Sequence, residues 1–461
     1  MFNLDSSTID QAAVADLRTR LRGALLTPTD EGYDAARRIW NAMIDRRPGV
    51  IAQCTSREDV QAAVAFAREH DLIISIRGGG HNIAGLALCD GGMTIDLSPM
   101  KDMRVDTDAR TVRAQPGLTW GEFDRETQRF GLATTGGAVS TTGIAGLTLG
   151  GGVGWLMGRC GYSVDNLRSA EVVLHDGRTI TASDTDHPDL FWALRGGGGN
   201  FGIVTSLEYR LHALGPVWAG LVAHPITRLT SMLRFYREFV ADAPDELTVH
   251  AAVMTLPTGD RVAAMVAVWS GDPVEGERRV APLRAFGPPI IDTVQPIPYV
   301  AAQSMLDGAV PYGRHNYWKS SFLRTLDAAA AATVEAHAAR ITSPYSLCLI
   351  EHVHGAPTRV PADATAFGIR DEHFHFVAIA SWDGADDRTP HVQWAREFWT
   401  AMQPWSAHRV YMNILGADEG DRIAEAYGSN YARLAEVKRK FDPLNVFRVN
   451  QNIAPAATTA S

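Results

Sequence analysis

Residues 142–155 read Thr142-Gly143-Ile144-Ala145-Gly146-Leu147-Thr148-Leu149-Gly150-Gly151-Gly152-Val153-Gly154-Trp155, the centre of a glycine-rich stretch covering positions 136–161. A flexible linker would pair glycine with serine or charge. Here the neighbours are Ile144, Leu147, Leu149 and Val153, so the glycines read as backbone packed closely against something flat. Upstream, residues 58–70 place Val60, Val64 and Ala67 at helical spacing behind a Thr55-Ser56 cap, which predicts an amphipathic helix. A short buried strand over 72–76 then runs into Arg77-Gly78-Gly79-Gly80-His81-Asn82. Consecutive amides without side chains at a strand end can cradle a pyrophosphate, or they can form a plain tight turn. Strands over 93–97 and 111–114 and a helix over 120–130 complete a mixed α+β region.

Downstream, Gly197-Gly198-Gly199-Asn200-Phe201-Gly202 fits G-x-G-x-x-G. A dinucleotide fingerprint of that form needs a strand before it and a helix after it. Here a helical segment, 188–194, precedes and a strand over 203–211 follows, so the context excludes that reading. Beyond Pro216 the texture changes to apolar strands over 263–269, 347–354 and 374–382, alternating with alanine-bearing helices such as 328–339. An antiparallel sheet backed by helices is expected to begin near residue 213. The tail, 427–453, returns to a helix followed by Asp442-Pro443-Leu444-Asn445.

At 461 residues the chain has room for two domains. A hydrophobic fraction of 46% with 21% charged residues is globular composition and excludes a disordered or fibrous chain. The net charge of −9, without a Lys/Arg block, argues against nucleic acid or an anionic membrane as partner and for a small molecule. The first 25 residues, with Asp5, Asp10 and Asp16, do not read as a signal peptide, and no apolar run is long enough to span a bilayer. A cytoplasmic protein of open oligomeric state is therefore expected. Cys54, Cys89, Cys160 and Cys348 are too few and too scattered for a disulfide framework or a zinc site. Each reads by itself as a small buried hydrophobe.

Five motifs taken together carry more than any one: the loop at His81, the 142–155 segment, Gly158-Arg159-Cys160-Gly161-Tyr162 continuing to Leu167, the run from Phe191 to Thr205, and the tail from Tyr427 to Ile453. In this order they resemble the FAD-linked oxidases of the vanillyl-alcohol oxidase superfamily, and within it the berberine bridge enzyme branch, from about residue 35 onward. The resemblance implies an α+β, two-domain PCMH-type FAD-binding fold: an FAD domain over 1–212, a substrate domain of antiparallel sheet backed by helices over 213–408, and a C-terminal segment, 409–461, returning to the FAD domain. It further implies FAD bonded to His81 and, at a second point, to Cys160, a bicovalent attachment. Arg77, Gly78, Gly79, Gly80 and Asn82 belong to the histidine loop. Gly136, Gly137, Thr141, Thr142, Gly143, Gly146 and Gly151 match positions lying along the flavin and its phosphates. Val204 falls on the adenine side and Asn450 near the isoalloxazine.

The catalytic residues implied by the resemblance are less uniform. Plant members place Glu or Gln on the strand after the element matching Phe367-Gly368-Ile369-Arg370, where this chain has apolar Val377 and Ala378. Bacterial sugar-oxidising relatives use a tyrosine on a strand with a Tyr-x-Asn pattern, matched by Tyr411-Met412-Asn413. A phenol acting as base near neutral pH needs its anion stabilised or its proton transfer concerted with the chemistry. His352-Val353-His354 and His373-Phe374-His375 are two H-x-H pairs on expected strands, each on one sheet face by alternation. A metal site or a substrate-facing His352 are the readings open to them, with His352 the candidate beside Tyr411 and no metal expected. Tyr317-Trp318-Lys319 could form an aromatic wall. The implied reaction is transfer of hydride to flavin from a C–H next to an OH or NH of a sugar, glycoside, alkaloid or other secondary metabolite, with O2 reduced to H2O2. A dehydrogenase with another acceptor, or a non-catalytic flavin-binding protein, are the alternatives.

Overall fold

In the computed structural model, which describes residues 9–457, the first predicted helix forms as Arg57–Glu69. Asp5 of the amino-terminal reading, like the ends of the first and last expected domains, lies outside the described residues. Ser56 starts the helix by accepting a hydrogen bond from the Asp59 amide. The Asp59 carboxylate in turn accepts the amides of Arg22, Gly23 and Thr55. Val60, Val64 and Ala67 are fully buried, and this face covers a four-stranded sheet. Its strands Val50–Gln53 and Ile74–Arg77 flank Met93–Asp96 in parallel, with Leu25–Leu26 antiparallel at one edge. A right-handed strand-helix-strand crossover is the ordinary way to join such parallel neighbours.

The second sheet is antiparallel and has five strands, in the order Met103–Asp106, Thr111–Ala114, Ile203–Arg210, Leu167–Val173 and Thr179–Ser183. Helix Trp120–Thr127 carries a full capping box between Thr119 and Glu122. It packs Trp120 and Phe123 into the same core as Tyr209 and the tail residues Leu434 and Phe441. The second glycine run sits between helix Pro188–Leu194 and strand Ile203–Arg210, the order expected from the sequence.

The third sheet has eight strands and is antiparallel throughout, running in order from Ile291–Asp292 through Val217–Pro225, Arg261–Trp269, Leu247–Thr255, Leu347–Val353 and His373–Trp382 to His315–Leu323, with Gln295–Ile297 paired beside Val217–Pro225. Helices Leu229–Val240, Ala328–Ala338 and Arg388–Met402 cover one face, where Tyr236, Val334, Phe398 and Phe376 share a core. The opposite face is turned toward the glycine segments. The chain then crosses back as helix Tyr431–Phe441, which lies against helix Pro188–Leu194. The result is an α+β fold with the eight-stranded sheet roofing a cavity whose floor is glycine backbone. Among the described residues, no helix is long and apolar enough to cross a membrane.

Candidate active site

A cavity of about 370 Å³ lies between the glycine segments and the uncovered sheet face. Its floor brings together Gly78, Gly79, Gly80, His81 and Asn82 with Gly137, Thr142, Gly143 and Gly146, and its far end is made by Gly198, Gly199, Val204 and Asn450. The first two segments touch through backbone. A Cβ added at Gly79 would stand 2.4 Å from the Gly143 nitrogen, and one added at Gly143 the same distance from the Gly79 nitrogen. No side chain fits between them. The far end is held from the tail, where the Asn450 amide group donates to the Gly199 carbonyl (3.2 Å) and Lys438 Nζ to the Asn200 carbonyl (2.7 Å). Such a bare amide-lined trough suits a long, flat ligand with phosphates.

His81 stands at one end of the trough. Its Nε2 is 3.0 Å from Thr141 Oγ1, Trp40 stacks on one ring face at 5.2 Å, and Tyr312 meets it edge-on while donating its hydroxyl to the Gly79 carbonyl. Burial pushes the imidazole down to about 4, so His81 is neutral and nucleophilic at neutral pH.

Several expected site residues lie elsewhere. Cys160 does not line the cavity: it ends the short helix Met157–Cys160 and packs beside Leu156, Val217 and Tyr299. Burial pushes its thiol up to about 11, and the segment that does face the histidine loop, 137–146, contains no cysteine but offers Val139. Cys160 is thus set apart from the trough. Arg77 turns away to the Ala36 carbonyl. Gly136 lies under the Trp120 indole and Gly151 under the Phe367 ring, both outside the cavity, and Thr141 contributes through His81. His352 is on the wrong face. It pairs across the sheet with Phe374, whose ring is in the helix-side core, and its Nε2 is 2.9 Å from Glu372 Oε1. Alternation therefore sends the neighbouring Glu351 into the cavity instead. For the same reason His352 and His373 sit on opposite faces, and the two H-x-H pairs do not converge.

Tyr411 does line the cavity, though not from a strand. It precedes the 3-10 turn Met412–Ile414. Its phenolic oxygen accepts the amides of Gly152 (3.0 Å) and Val153 (3.3 Å) and the Asn413 side-chain N–H (2.9 Å). Burial outweighs these donors and pushes the phenol up to about 12, so Tyr411 stays neutral.

Glu351 and His375 went unrecognised as a site in the sequence. They are cross-strand partners, and His375 Nδ1 lies 2.7 Å from Glu351 Oε2. His250, stacked at 4.5 Å on Trp155, stands 3.5 Å from the other carboxylate oxygen. Burial opposes ionisation of Glu351, but the two imidazoles overcome it and hold its carboxyl below the usual range. His375 Nε2 is buried without a partner. The only signal in sequence was the pair of histidines itself.

Burial also pushes His352 down to about 4 and His373 to about 3, against ~6.5 for an exposed imidazole. Below that value the unfolded chain binds protons that the native chain refuses, so stability falls as pH drops from ~6.5 toward ~4. Thermal denaturation between pH 7 and pH 5 is expected to show a falling Tm, with a shallower fall in His373→Gln. A flat profile would contradict this.

The chain is similar over nearly its whole length to known proteins. A family model described as FAD binding domain matches residues 48–183, and one described as berberine and berberine like matches residues 410–454. The (R)-6-hydroxynicotine oxidase of Paenarthrobacter nicotinovorans is 33% identical, over 94% of this chain and 97% of its own. An FAD-linked oxidoreductase of Dictyostelium discoideum is 31% identical, over 90% and 91%. Among solved structures, 6-hydroxy-D-nicotine oxidase from Arthrobacter nicotinovorans superposes with a TM-score of 0.87 at 30% identity, covering 95% of this chain and 98% of that one. A xylooligosaccharide oxidase from Myceliophthora thermophila, solved with xylobiose, shares the fold at 23% identity and a TM-score of 0.84, covering 97% and 100%.

Proposed function

The chain belongs to the berberine-bridge-like family of FAD-linked oxidoreductases, and from that premise we propose that it is an oxidase carrying FAD on a single covalent tether at His81 and acting on a small molecule. The enzyme class and the cofactor follow from the family. The tether rests on one observation: a neutral imidazole closes the end of the glycine trough, with Thr141 engaging Nε2 and leaving Nδ1 for the bond.

The residues present fit the cofactor. The Gly79 and Gly143 backbones meet with no room for a side chain between them, and backbone amides of the 78–82 and 198–200 segments, which line the trough, suit its phosphates. When bound, the flavin supplies the two-electron chemistry, accepting hydride from a substrate C–H and passing electrons to O2. The protein binds and orients the substrate beneath the sheet and shields it from water. Because burial keeps the Tyr411 phenol protonated, its O–H suits it to hold a substrate oxygen rather than to remove a proton. This revises the base role expected for Tyr411, and His352, facing the other side of the sheet, has none. The FAD-binding portion is taken as 1–212 with 409–461, and the substrate-binding portion as 213–408.

Acid precipitation followed by intact mass tests the tether. Wild type and Cys160→Ala are expected to keep a flavin-sized mass increment and the same visible spectrum, whereas His81→Ala releases its flavin to the supernatant. Loss of the increment in Cys160→Ala, or its retention in His81→Ala, would overturn the single-tether reading. Oxygen as acceptor is tested by mixing reduced enzyme with aerated buffer: reoxidation within seconds is expected, and persistence over minutes would assign the electrons to another acceptor.

A further inference from the structure

We propose that His375, oriented by Glu351, is the proton acceptor of the reaction, and that the substrate is a predominantly apolar ring compound carrying one acidic O–H or N–H rather than a free sugar. The inference rests on the oxidoreductase reading above and deepens it.

The sheet face over the trough presents Val266, Met254, Leu347, Leu349, Val377 and Ile379 to the cavity, and Glu351 and His375 are the titratable groups among its side chains there. A sugar carries a hydroxyl on nearly every carbon, and each loses hydration on entry unless the site replaces it. This wall has no such set of donors and acceptors. It suits an apolar ring, with one polar contact fixing its orientation.

The polar contact has a defined direction. An ionised carboxylate only accepts, so the 2.7 Å contact makes His375 Nδ1 the donor to Glu351 Oε2. In the neutral ring the lone pair is then on Nε2, the atom without a partner on a residue 1% exposed that lines the cavity. The geometry follows that of a base held by a carboxylate, in which the acid fixes the tautomer and stabilises the imidazolium. In the step itself, the substrate O–H or N–H bond breaks and an Nε2–H bond forms. The positive charge left on the ring is balanced by Glu351, and the hydrogen of the C–H beside that group would leave with its electron pair as hydride to the flavin, so that the substrate loses two electrons and two hydrogens. Glu351 acts through His375 and is a positioning residue. The other titratable groups around the pair are His250 on the strand beyond Glu351, His373 two positions before His375 on its strand, Tyr162 and Tyr236, and Tyr411, whose ring meets His375 edge-on at 5.7 Å.

The test uses the flavin-loaded enzyme, with 4-nitrophenol as a probe that cannot give up hydride, 4-nitroanisole as the same ring without the proton, and xylobiose as the sugar. Binding is followed by flavin difference absorbance, and proton transfer by the nitrophenolate band. At one unit below the probe's own pKa about a tenth of it is ionised in solution. Wild type is expected to bind 4-nitrophenol at least tenfold more tightly than 4-nitroanisole, to convert most of the bound probe to the anion, and to give no saturable signal with xylobiose. His375→Gln and Glu351→Gln are expected to return the bound anion fraction to a tenth or less, and Glu351→Asp to restore it in part. Tighter binding of xylobiose than of 4-nitrophenol would overturn the substrate class. A probe that stays neutral in wild type, or an anion fraction unchanged in both glutamine variants, would overturn the proton acceptor. If the variants fail to fold, the wild-type ranking and anion fraction still decide. Protein purified without flavin would instead refute the reading on which the inference rests.

Discussion

Lys438→Met is expected to release the tail from the cavity, at a local cost of ~3–5 kcal/mol, the range for a buried ion pair that loses one partner. The Lys438 side chain is fully buried, and its three ammonium protons are all used: by Asp442 Oδ2 (2.7 Å), the Asn200 carbonyl (2.7 Å) and the Phe447 carbonyl (2.8 Å). Asp442 in turn accepts the amides of Val446 and Phe447. Removing the ammonium strands a carboxylate and two carbonyls in the interior at once. Native-state hydrogen exchange is the direct measurement: protection at the Val446, Phe447 and Ile453 amides should fall by roughly two to four orders of magnitude. The double variant Lys438→Met, Asp442→Asn should recover part of the loss, since the uncompensated charge is gone. Unchanged protection in the single variant would show that the ion pair does not hold the tail.

The second large effect is expected from a single methyl group. In Gly79→Ala the new carbon meets the Gly143 backbone at 2.4–2.5 Å, and backbone cannot rotate aside as a flexible side chain can. The two loops must separate, at ~1–3 kcal/mol of overpacking, which also pulls Thr141 off His81 Nε2. Flavin content after expression is expected to fall at least tenfold while the far-ultraviolet circular dichroism stays that of wild type. Gly215→Ala is the control, because an added carbon there meets nothing within 4 Å and the residue lies outside the cavity. Equal flavin loading in both variants would show that the close approach is not needed for the cofactor.

Local elements were legible wherever one residue pattern served one purpose. The Arg57–Glu69 helix and the strand Thr111–Ala114 follow their periodicity, and the rejected dinucleotide fingerprint was decided by which element came before it and which after. The histidine loop and the tail were readable as motifs, since glycine and buried charge leave few alternatives. The substrate side was not. Strand His373–Trp382 is buried on both faces, so its near-continuous apolar run carries no alternation to mark the face that meets the cavity. Only the pairing of Glu351 with His375 and of His352 with Phe374 separates a site residue from a core one. Tyr411 was placed on a strand because Tyr-x-Asn fits one, but the Asn413 side chain turns back to the Leu147 carbonyl and to Tyr411 itself, and a 3-10 turn results. The second tether at Cys160 came only from the family resemblance, and the segment apposed to His81, which carries Thr141 and Gly143, lies well before that position.

The clamp from Lys438 to Asn200 spans 238 positions along the chain. A ribosome adding about 5–20 residues per second needs on the order of 10–50 s to cover that distance. Throughout that interval the glycine loops exist as nascent polypeptide without the segment that secures them. Loading of the cofactor is therefore an event of the finished chain. A ribosome-bound chain stalled before residue 438 should carry no flavin, and the supply of free FAD should govern the yield of mature enzyme after translation rather than during it.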